Sequence, residues 1–277
     1  MDYVKPVEVA AAMVDTGRRK LGLTPADLLI RGALAGGILG AATSLAFTGA
    51  LQTGVPLVGA LIFPVGLCII VLLGLDLVTG SFGLLPLPCI EKTGDTRVML
   101  ANWAYVFIGN LIGSMAYGAL LAIALTMFGS VAPSGVAAQI VAVAQAKTTG
   151  YAVFGMAGLV TVFVKAILCN WMVCLAIVMA MTTSSTVGKI AAAWMPMLIF
   201  FGQGFEHSVV NMFVIPTGIL MGAKVTVAEW WLWNQIPVTL GNLVGGFTFT
   251  GLALYITHKP RTAAPAPLTA PSQVPAE

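Results

Sequence analysis

Six long apolar stretches follow one another along this chain of 277 residues, and they constrain its fold more than any other feature. They lie near residues 32–51, 56–88, 98–128, 152–182, 189–222 and 232–257. A helix needs about 20 apolar residues to cross a bilayer, so each stretch is long enough. Charged residues make up only 8% of the chain, which excludes a water-soluble fold. The sequence therefore predicts an all-α integral membrane protein with six transmembrane helices in a lipid bilayer.

The basic residues predict how these helices are oriented. Six spans place both termini on one side, and ten of the 13 lysines and arginines fall in the termini and loops on that side. Basic residues near span ends favour the cytoplasmic side. We therefore expect a multi-pass protein of the cell's inner (plasma) membrane with both termini cytoplasmic. The net charge of +3 needs no nucleic acid partner to explain it.

The two ends of the chain differ in character from the apolar middle. Residues 1–26 alternate apolar and charged side chains and predict an amphipathic helix along the cytoplasmic interface, with a solvated extension as the alternative. Residues 259–277 are rich in proline and alanine, a composition that cannot build a core. We therefore expect a disordered cytoplasmic tail after a membrane domain of residues 27–258.

The third and sixth apolar stretches carry the same spaced pattern. Asn102 is followed eight residues later by Asn110 with a glycine before it, and Asn234 is followed at the same spacing by Asn242 with a glycine before it. The two halves of the membrane domain, about 27–130 and 150–258, therefore resemble each other. Because each half holds three spans, the second half must enter from the opposite side, which predicts an inverted repeat.

The second and fifth stretches are each interrupted by glycines and an acid. Asp76 follows Gly74, and Glu206 follows Gly204. Glycines and acids inside an apolar stretch predict two broken helices, which are tolerated at membrane depth where they line a cavity or lie within protein. We expect the two breaks to meet near the midplane and to form the solute site.

His207 follows the second acid and is the one histidine inside an apolar stretch. An ionisable group at membrane depth is costly and therefore indicates a functional site, although a buried histidine can also be a satisfied hydrogen-bond partner. Asp76 and Glu206 are better explained as loop anchors that accept hydrogen bonds from free backbone N–H groups.

Three segments resemble the signatures of the formate/nitrite transporter family: LCNWMVCLA at 168–176, GFEHSVVNMF at 204–213 and IPVTLGN at 236–242. The resemblance extends from about residue 3 to residue 257. It implies an aquaporin-like fold assembled as a homopentamer, with one pore in each protomer. It also implies small monovalent anions as substrates, such as formate, nitrite or hydrosulfide, with no enzymatic activity, cofactor or metal.

The resemblance also assigns roles to individual positions. The family's central histidine falls on His207 and its partner threonine on Thr79, which is equally suited to capping a helix. Polar supports fall on Asn170 and Asn242. The family's lysine position is occupied by Phe154, so Lys147 is the favoured electropositive group of the outer vestibule, with Lys165 as the alternative.

Two apolar constrictions are implied by the same resemblance. The cytoplasmic one matches Phe63 and Leu67 in the second stretch and Phe200 in the fifth. The opposite one matches Leu77 and Val78, together with Val173 or Leu175 nearby. An anion that crosses apolar rings loses hydration worth several kcal/mol. It can be stabilised by half-helix dipoles and a lysine, or it can be neutralised by a proton exchanged with His207.

The sequence leaves the proton relay and conduction past a neutral histidine open. We favour formate as the substrate, with nitrite, hydrosulfide or a lactate-type anion as alternatives. A neutral-solute channel is a further alternative, although the chain lacks the paired Asn-Pro-Ala boxes of aquaporins. An intramembrane enzyme that uses His207 with Glu206 or Ser208 is disfavoured, because adjacent residues rarely meet in catalytic geometry.

Overall fold

The computed structural model describes residues 2–259, and the predicted helical fold is present throughout them. Apart from helices and loops, the described residues contain one antiparallel bridge, between Tyr3 and Thr183. Residues 260–277, which make up nearly all of the predicted tail, lie outside the described residues. The ten main helices are α1 Pro6–Leu21, α2 Pro25–Thr53, α3 Pro56–Leu72, α4 Val78–Ile90, α5 Thr96–Thr126, α6 Val136–Ala146, α7 Gly155–Ala180, α8 Thr186–Gly202, α9 Ser208–Leu220 and α10 Val227–His258.

Four of these helices, α2, α5, α7 and α10, are long and apolar enough to cross a membrane. The second and fifth apolar stretches are interrupted, as the glycines and acids predict. The chain leaves the helix at residues 73–77, between α3 and α4, and at residues 203–207, between α8 and α9. Gly74 and Gly204 both have φ of +64°, a left-handed conformation that glycine adopts without a Cβ penalty. The glycines therefore set the position of each break.

Asn110 of α5 holds the first break in place. Its amide nitrogen donates to the carbonyl groups of Gly32 at 2.9 Å and of Asp76 at 2.8 Å. Its oxygen accepts the backbone N–H of Val78 at 2.9 Å. One side chain therefore joins α2, the break and the first residue of α4.

Asn242 of α10 repeats this pattern at the second break. It donates to the carbonyl groups of Ala166 at 2.8 Å and of Glu206 at 2.9 Å, and it accepts the N–H of Ser208 at 2.8 Å. The match between Asn110 and Asn242 in the sequence thus corresponds to matching hydrogen bonds in the two halves.

The repeat includes one more element than the sequence indicated. Helix α6 ends just before Lys147, and helix α1 carries Lys20 in its last turn. Each of these helices precedes the first long helix of its half. Helix α6, which begins at Val136, is therefore the counterpart of α1, and the boundary near residue 150 stays a prediction. The apolar stretch of α6 is only 11 residues long, too short to register as a span.

Helix α1 buries one face against the rest of the protein. Val9, Met13 and Val14 are buried in a cluster with side chains of α4, α7 and α10. A Cβ on Gly17 would stand 2.6 Å from the carbonyl oxygen of Leu84, so the glycine allows α1 to approach α4 closely. The apolar face of the predicted amphipathic helix therefore contacts protein.

Candidate functional site

Two cavities lie at the two breaks. The larger, of about 670 Å³, is lined by the second break and by residues that include Lys147, Lys165, Glu206 and His207. We call it the Lys147 cavity. The smaller, of about 260 Å³, is lined by the first break. We call it the Lys20 cavity, and its charged residues are Arg19, Lys20, Arg31 and Asp76.

Each break lines its own cavity, and a shared solute site between the two breaks stays a prediction. The half-helix before each break spans 17 residues, 56–72 and 186–202, whereas the half-helix after it spans 13, 78–90 and 208–220. The longer first halves place each break beyond the middle of its stretch.

Glu206 is almost fully buried, at 1% exposure, and it accepts hydrogen bonds from several donors. Its carboxylate accepts from Nζ of Lys147 at 2.7 Å, from the hydroxyl of Tyr151 at 2.9 Å and from the amide of Asn211 at 2.8 Å. A buried carboxylate needs such partners to offset lost hydration. The carboxylate therefore joins neighbouring elements through side chains, and the expectation that it accepts from free backbone N–H groups is wrong.

Asp76 forms the corresponding ion pair in the other half, with Lys20. The amide of Asn102 donates to the carbonyl of Lys20 at 2.9 Å, and the amide of Asn234 donates to the carbonyl of Lys147 at 2.8 Å. Sequence reasoning missed the role of Lys20. The signal was the repeat itself, because a buried acid in each half requires a basic partner in each half.

His207 occupies the N-cap position of α9, and its Nδ1 accepts the backbone N–H of Val210 at 3.2 Å. Because Nδ1 is an acceptor, the neutral ring carries its hydrogen on Nε2. A second proton on Nδ1 would remove this cap and would place a cation at the positive end of a helix dipole. The geometry therefore favours a neutral histidine with one N–H available for donation.

Thr79 and Asn170 connect the two halves. The amide of Asn170 donates to the carbonyl of Thr79 at 3.0 Å and to the carbonyl of Asn242 at 2.7 Å. The hydroxyl of Thr79 is buried and has no hydrogen-bond partner within residues 2–259. Buried hydroxyl groups are normally hydrogen-bonded, and a contact between the Thr79 hydroxyl and a solute stays a prediction.

Aromatic rings form a layer between the Lys147 cavity and the interior. The ring centroids of Phe63 and Phe200 are 5.5 Å apart, and those of Phe63 and Phe201 are 4.0 Å apart. The ring of Phe200 also stacks on His207 at 5.8 Å. The sequence alone does not identify Phe201, because only its neighbour Phe200 matches the family pattern.

The expected grouping of Leu67 with Phe200 is wrong. Leu67 lines the Lys20 cavity with Leu77, whereas Phe200 lines the Lys147 cavity. Phe63 and Leu67 are four residues apart on α3, which separates them by about 6 Å along the helix axis. They therefore belong to different layers.

The remaining constriction candidates lie in different places. Val173 is fully buried in the core, and Val78 is buried on the groove that Trp103 and Phe107 line. Leu175 lies on a pocket next to Tyr3, away from both cavities. Residues two apart on a helix point about 200° apart, so Val173 and Leu175 cannot face the same space.

Lys147 and Lys165 differ in their partners, although both line the Lys147 cavity. Lys147 is paired with Glu206. Within residues 2–259, Lys165 forms no ion pair, and its Nζ lies 5.6 Å from the centroid of the Tyr151 ring. The charge of Lys147 is therefore largely compensated, whereas that of Lys165 is not.

The long apolar helices define a multi-pass membrane protein. Its two interrupted helices, each with a charged cavity, are typical of a channel or a transporter. Residues 7–256 match the family model described as formate/nitrite transporter. The chain belongs to the formate/nitrite transporter family, a family of anion channels and transporters, and the resemblance in the sequence is confirmed.

Relatives and solved structures agree with this assignment. A probable formate transporter of Methanothermobacter thermautotrophicus is 38% identical over 211 residues, which cover 74% of this chain and 76% of the relative. An ion channel of the FNT family superposes with a TM-score of 0.79 at 31% identity, covering 90% of this chain and 98% of that chain. A pentameric formate channel with formate bound superposes with a TM-score of 0.67 at 26% identity, covering 84% and 97%.

Proposed function

We propose that this protein conducts small monovalent anions across the membrane, with formate as the substrate. The observation that carries the proposal is the excess of positive charge in both cavities. Lys147 and Lys165 face one carboxylate in the Lys147 cavity, and three cationic side chains face Asp76 in the Lys20 cavity. Cavities lined by one sign of charge concentrate ions of the opposite sign.

The proposed path runs from one cavity to the other through two apolar layers. An anion from the Lys147 cavity passes the rings of Phe63, Phe200 and Phe201. It then reaches the buried polar groups of His207 and Thr79, and it leaves past Leu67 and Leu77 into the Lys20 cavity. Val173 lies in the same buried core, while Asn170 and Asn242 hold the polar groups in position.

In this path a neutral His207 offers its Nε2–H to the anion as the Phe200 layer removes water. The cap at Nδ1 supports this neutral-donor alternative over a relay that needs a protonated ring. The N-termini of α4 and α9 add backbone dipoles that stabilise negative charge. Formate is favoured because the similar protein of known structure was solved with formate bound, and nitrite, hydrosulfide or a lactate-type anion is the alternative.

The arrangement in the cell follows from the same proposal. From the excess of basic residues we infer that both termini and the Lys20 cavity face the cytoplasm across the inner (plasma) membrane. The layer of Phe63 and Phe200 then lies on the outer side, and not on the cytoplasmic side that the resemblance implies. The six spans of the inverted repeat are α2, α3–α4, α5, α7, α8–α9 and α10, and α1 lies on the cytoplasmic side. The similar pentameric channel supports a homopentamer in the bilayer.

The partners of the other polar side chains do not support an enzyme. Ser208 bonds to Thr239 at 2.8 Å and accepts from the amide of Gln235 at 2.8 Å, whereas Glu206 bonds to Lys147 and Tyr151. His207 bonds to neither side chain in the part of the chain described. A nucleophile and its base must lie within hydrogen-bond reach of each other.

Anion flux in proteoliposomes tests the proposed function. We expect the purified protein to carry formate much faster than glycerol, an uncharged polar solute, because the cavities attract anions. Raising the ionic strength with an impermeant salt should slow formate entry, since charges are screened over about 10 Å at 0.1 M. Equal rates for glycerol and formate, or no formate flux above protein-free vesicles, would contradict the proposal.

A further inference from the structure

The Lys147 cavity is much larger than formate requires. Its volume of about 670 Å³ falls in the range of about 300–1,000 Å³ that is typical of pockets for drug-sized ligands. Formate has only three non-hydrogen atoms. The cavity therefore has room for an organic anion with a carbon skeleton of its own.

A third of the residues that line the cavity are phenylalanine or tyrosine. Six aromatic side chains line it: Phe47, Tyr151, Phe154, Phe200, Phe201 and Phe205. Aromatic rings prefer to pack edge to face or offset against other rings. The walls therefore suit a flat aromatic group better than a hydrated inorganic ion.

The lining of the cavity carries one uncompensated positive charge, which a monovalent anion would neutralise. Lys147 and Glu206 compensate each other at 2.7 Å, which leaves Lys165 as the charge to be neutralised. Its half-buried ammonium group lies beside Tyr151, and Tyr151 donates to Glu206. A carboxylate on Lys165 would therefore lie directly next to the aromatic walls.

We propose that the Lys147 cavity binds an aromatic monocarboxylate, with its carboxylate on Lys165 and its ring against Phe154, Phe201 and Phe205. The layer of Phe63, Phe200 and Phe201 rings closes the inner end of the cavity. A bound ligand therefore stops at this layer and blocks the entrance to the proposed anion path. The binding itself does not depend on the proposed function, whereas the expected inhibition of anion flux rests on it.

Binding of benzoate to the purified full-length protein tests the inference. We expect saturable binding by calorimetry or by saturation-transfer NMR. Lys165→Gln removes the charge-assisted hydrogen bond and should weaken binding about tenfold or more, and Lys165→Arg should retain most of it. Phe154→Ala, at a side chain that is 69% exposed, should also weaken binding without affecting folding.

Lys224→Gln is the matched control, because Lys224 is an exposed lysine that lines neither cavity. It should bind benzoate as the wild type does. No binding to the wild type, or equal binding to Lys165→Gln and the wild type, would overturn the inference. Formate flux measured on the same preparations separates the two proposals. Formate flux without benzoate binding refutes the aromatic-carboxylate site alone. Benzoate binding that depends on Lys165, without formate flux, refutes the proposed function alone.

Discussion

Replacing Glu206 by Gln is expected to impair folding and assembly more than any other conservative change in this chain. The carboxylate accepts from Lys147, Tyr151 and Asn211. A glutamine amide would turn N–H groups toward some of these donors, and Lys147 would lose its counter-charge. Breaking a buried ion pair costs about 3–5 kcal/mol. We expect a lower unfolding temperature and loss of assembled oligomer in size-exclusion chromatography with light scattering.

Two further variants show whether the ion pair causes the loss. Glu8→Gln removes the same charge from an exposed position of α1 and should unfold as the wild type does. The double variant Glu206→Gln with Lys147→Gln removes both charges and should be less destabilised than the sum of the single variants. Wild-type stability of Glu206→Gln would show that the Lys147–Glu206 pair does not hold the second break.

Replacing Phe200 by Ala is expected to relax size selection at the proposed layer next to His207. Phe200 is 1% exposed, and its ring lies between Phe63 and His207. Truncation leaves a gap at that point, so anions larger than formate, such as lactate, should pass roughly tenfold faster or more. The measurement is the ratio of lactate to formate flux in proteoliposomes.

The same truncation also costs stability, about 3–5 kcal/mol for a buried phenylalanine, so each preparation must first be shown to be assembled. Phe128→Ala is the control, because Phe128 is 80% exposed and should leave the flux ratio unchanged. An assembled Phe200→Ala protein with the wild-type flux ratio would place the selecting layer elsewhere.

The sequence predicts the helices and the interruptions well, because both depend on local composition. Long apolar stretches form the long helices, and Gly74 and Gly204 occupy the positions where the backbone requires positive φ. The repeat predicts that Asn110 and Asn242 play equivalent parts, and their hydrogen bonds are equivalent.

The cavities are less predictable, because they depend on how distant residues meet. Lys20 pairs with Asp76 across 56 residues of chain, and no local pattern connects the two. The separation of Leu67 from Phe200 depends on where the breaks lie along their stretches. His207 had two competing explanations, as a cap and as a solute contact, and its two ring nitrogens allow both.

The central feature of the proposed path is an anion that meets a neutral His207. Asparagine is a good N-cap whose oxygen can accept the N–H of Val210 while its amide donates to the anion, yet it cannot titrate. His207→Asn therefore tests whether the proton on the ring matters. His207→Leu, which can neither cap nor donate, should lose most formate flux and serves as the reference.

The decisive measurement is the initial rate of formate uptake into proteoliposomes by the wild type and by His207→Asn. The rates are measured from about pH 5 to about pH 8, because an unperturbed histidine changes charge in that range. Conduction past a neutral donor predicts substantial flux through His207→Asn with the pH profile of the wild type. A His207→Asn protein that is assembled but has lost the wild-type pH dependence would show that His207 exchanges protons with the substrate, and it would contradict the neutral-donor path.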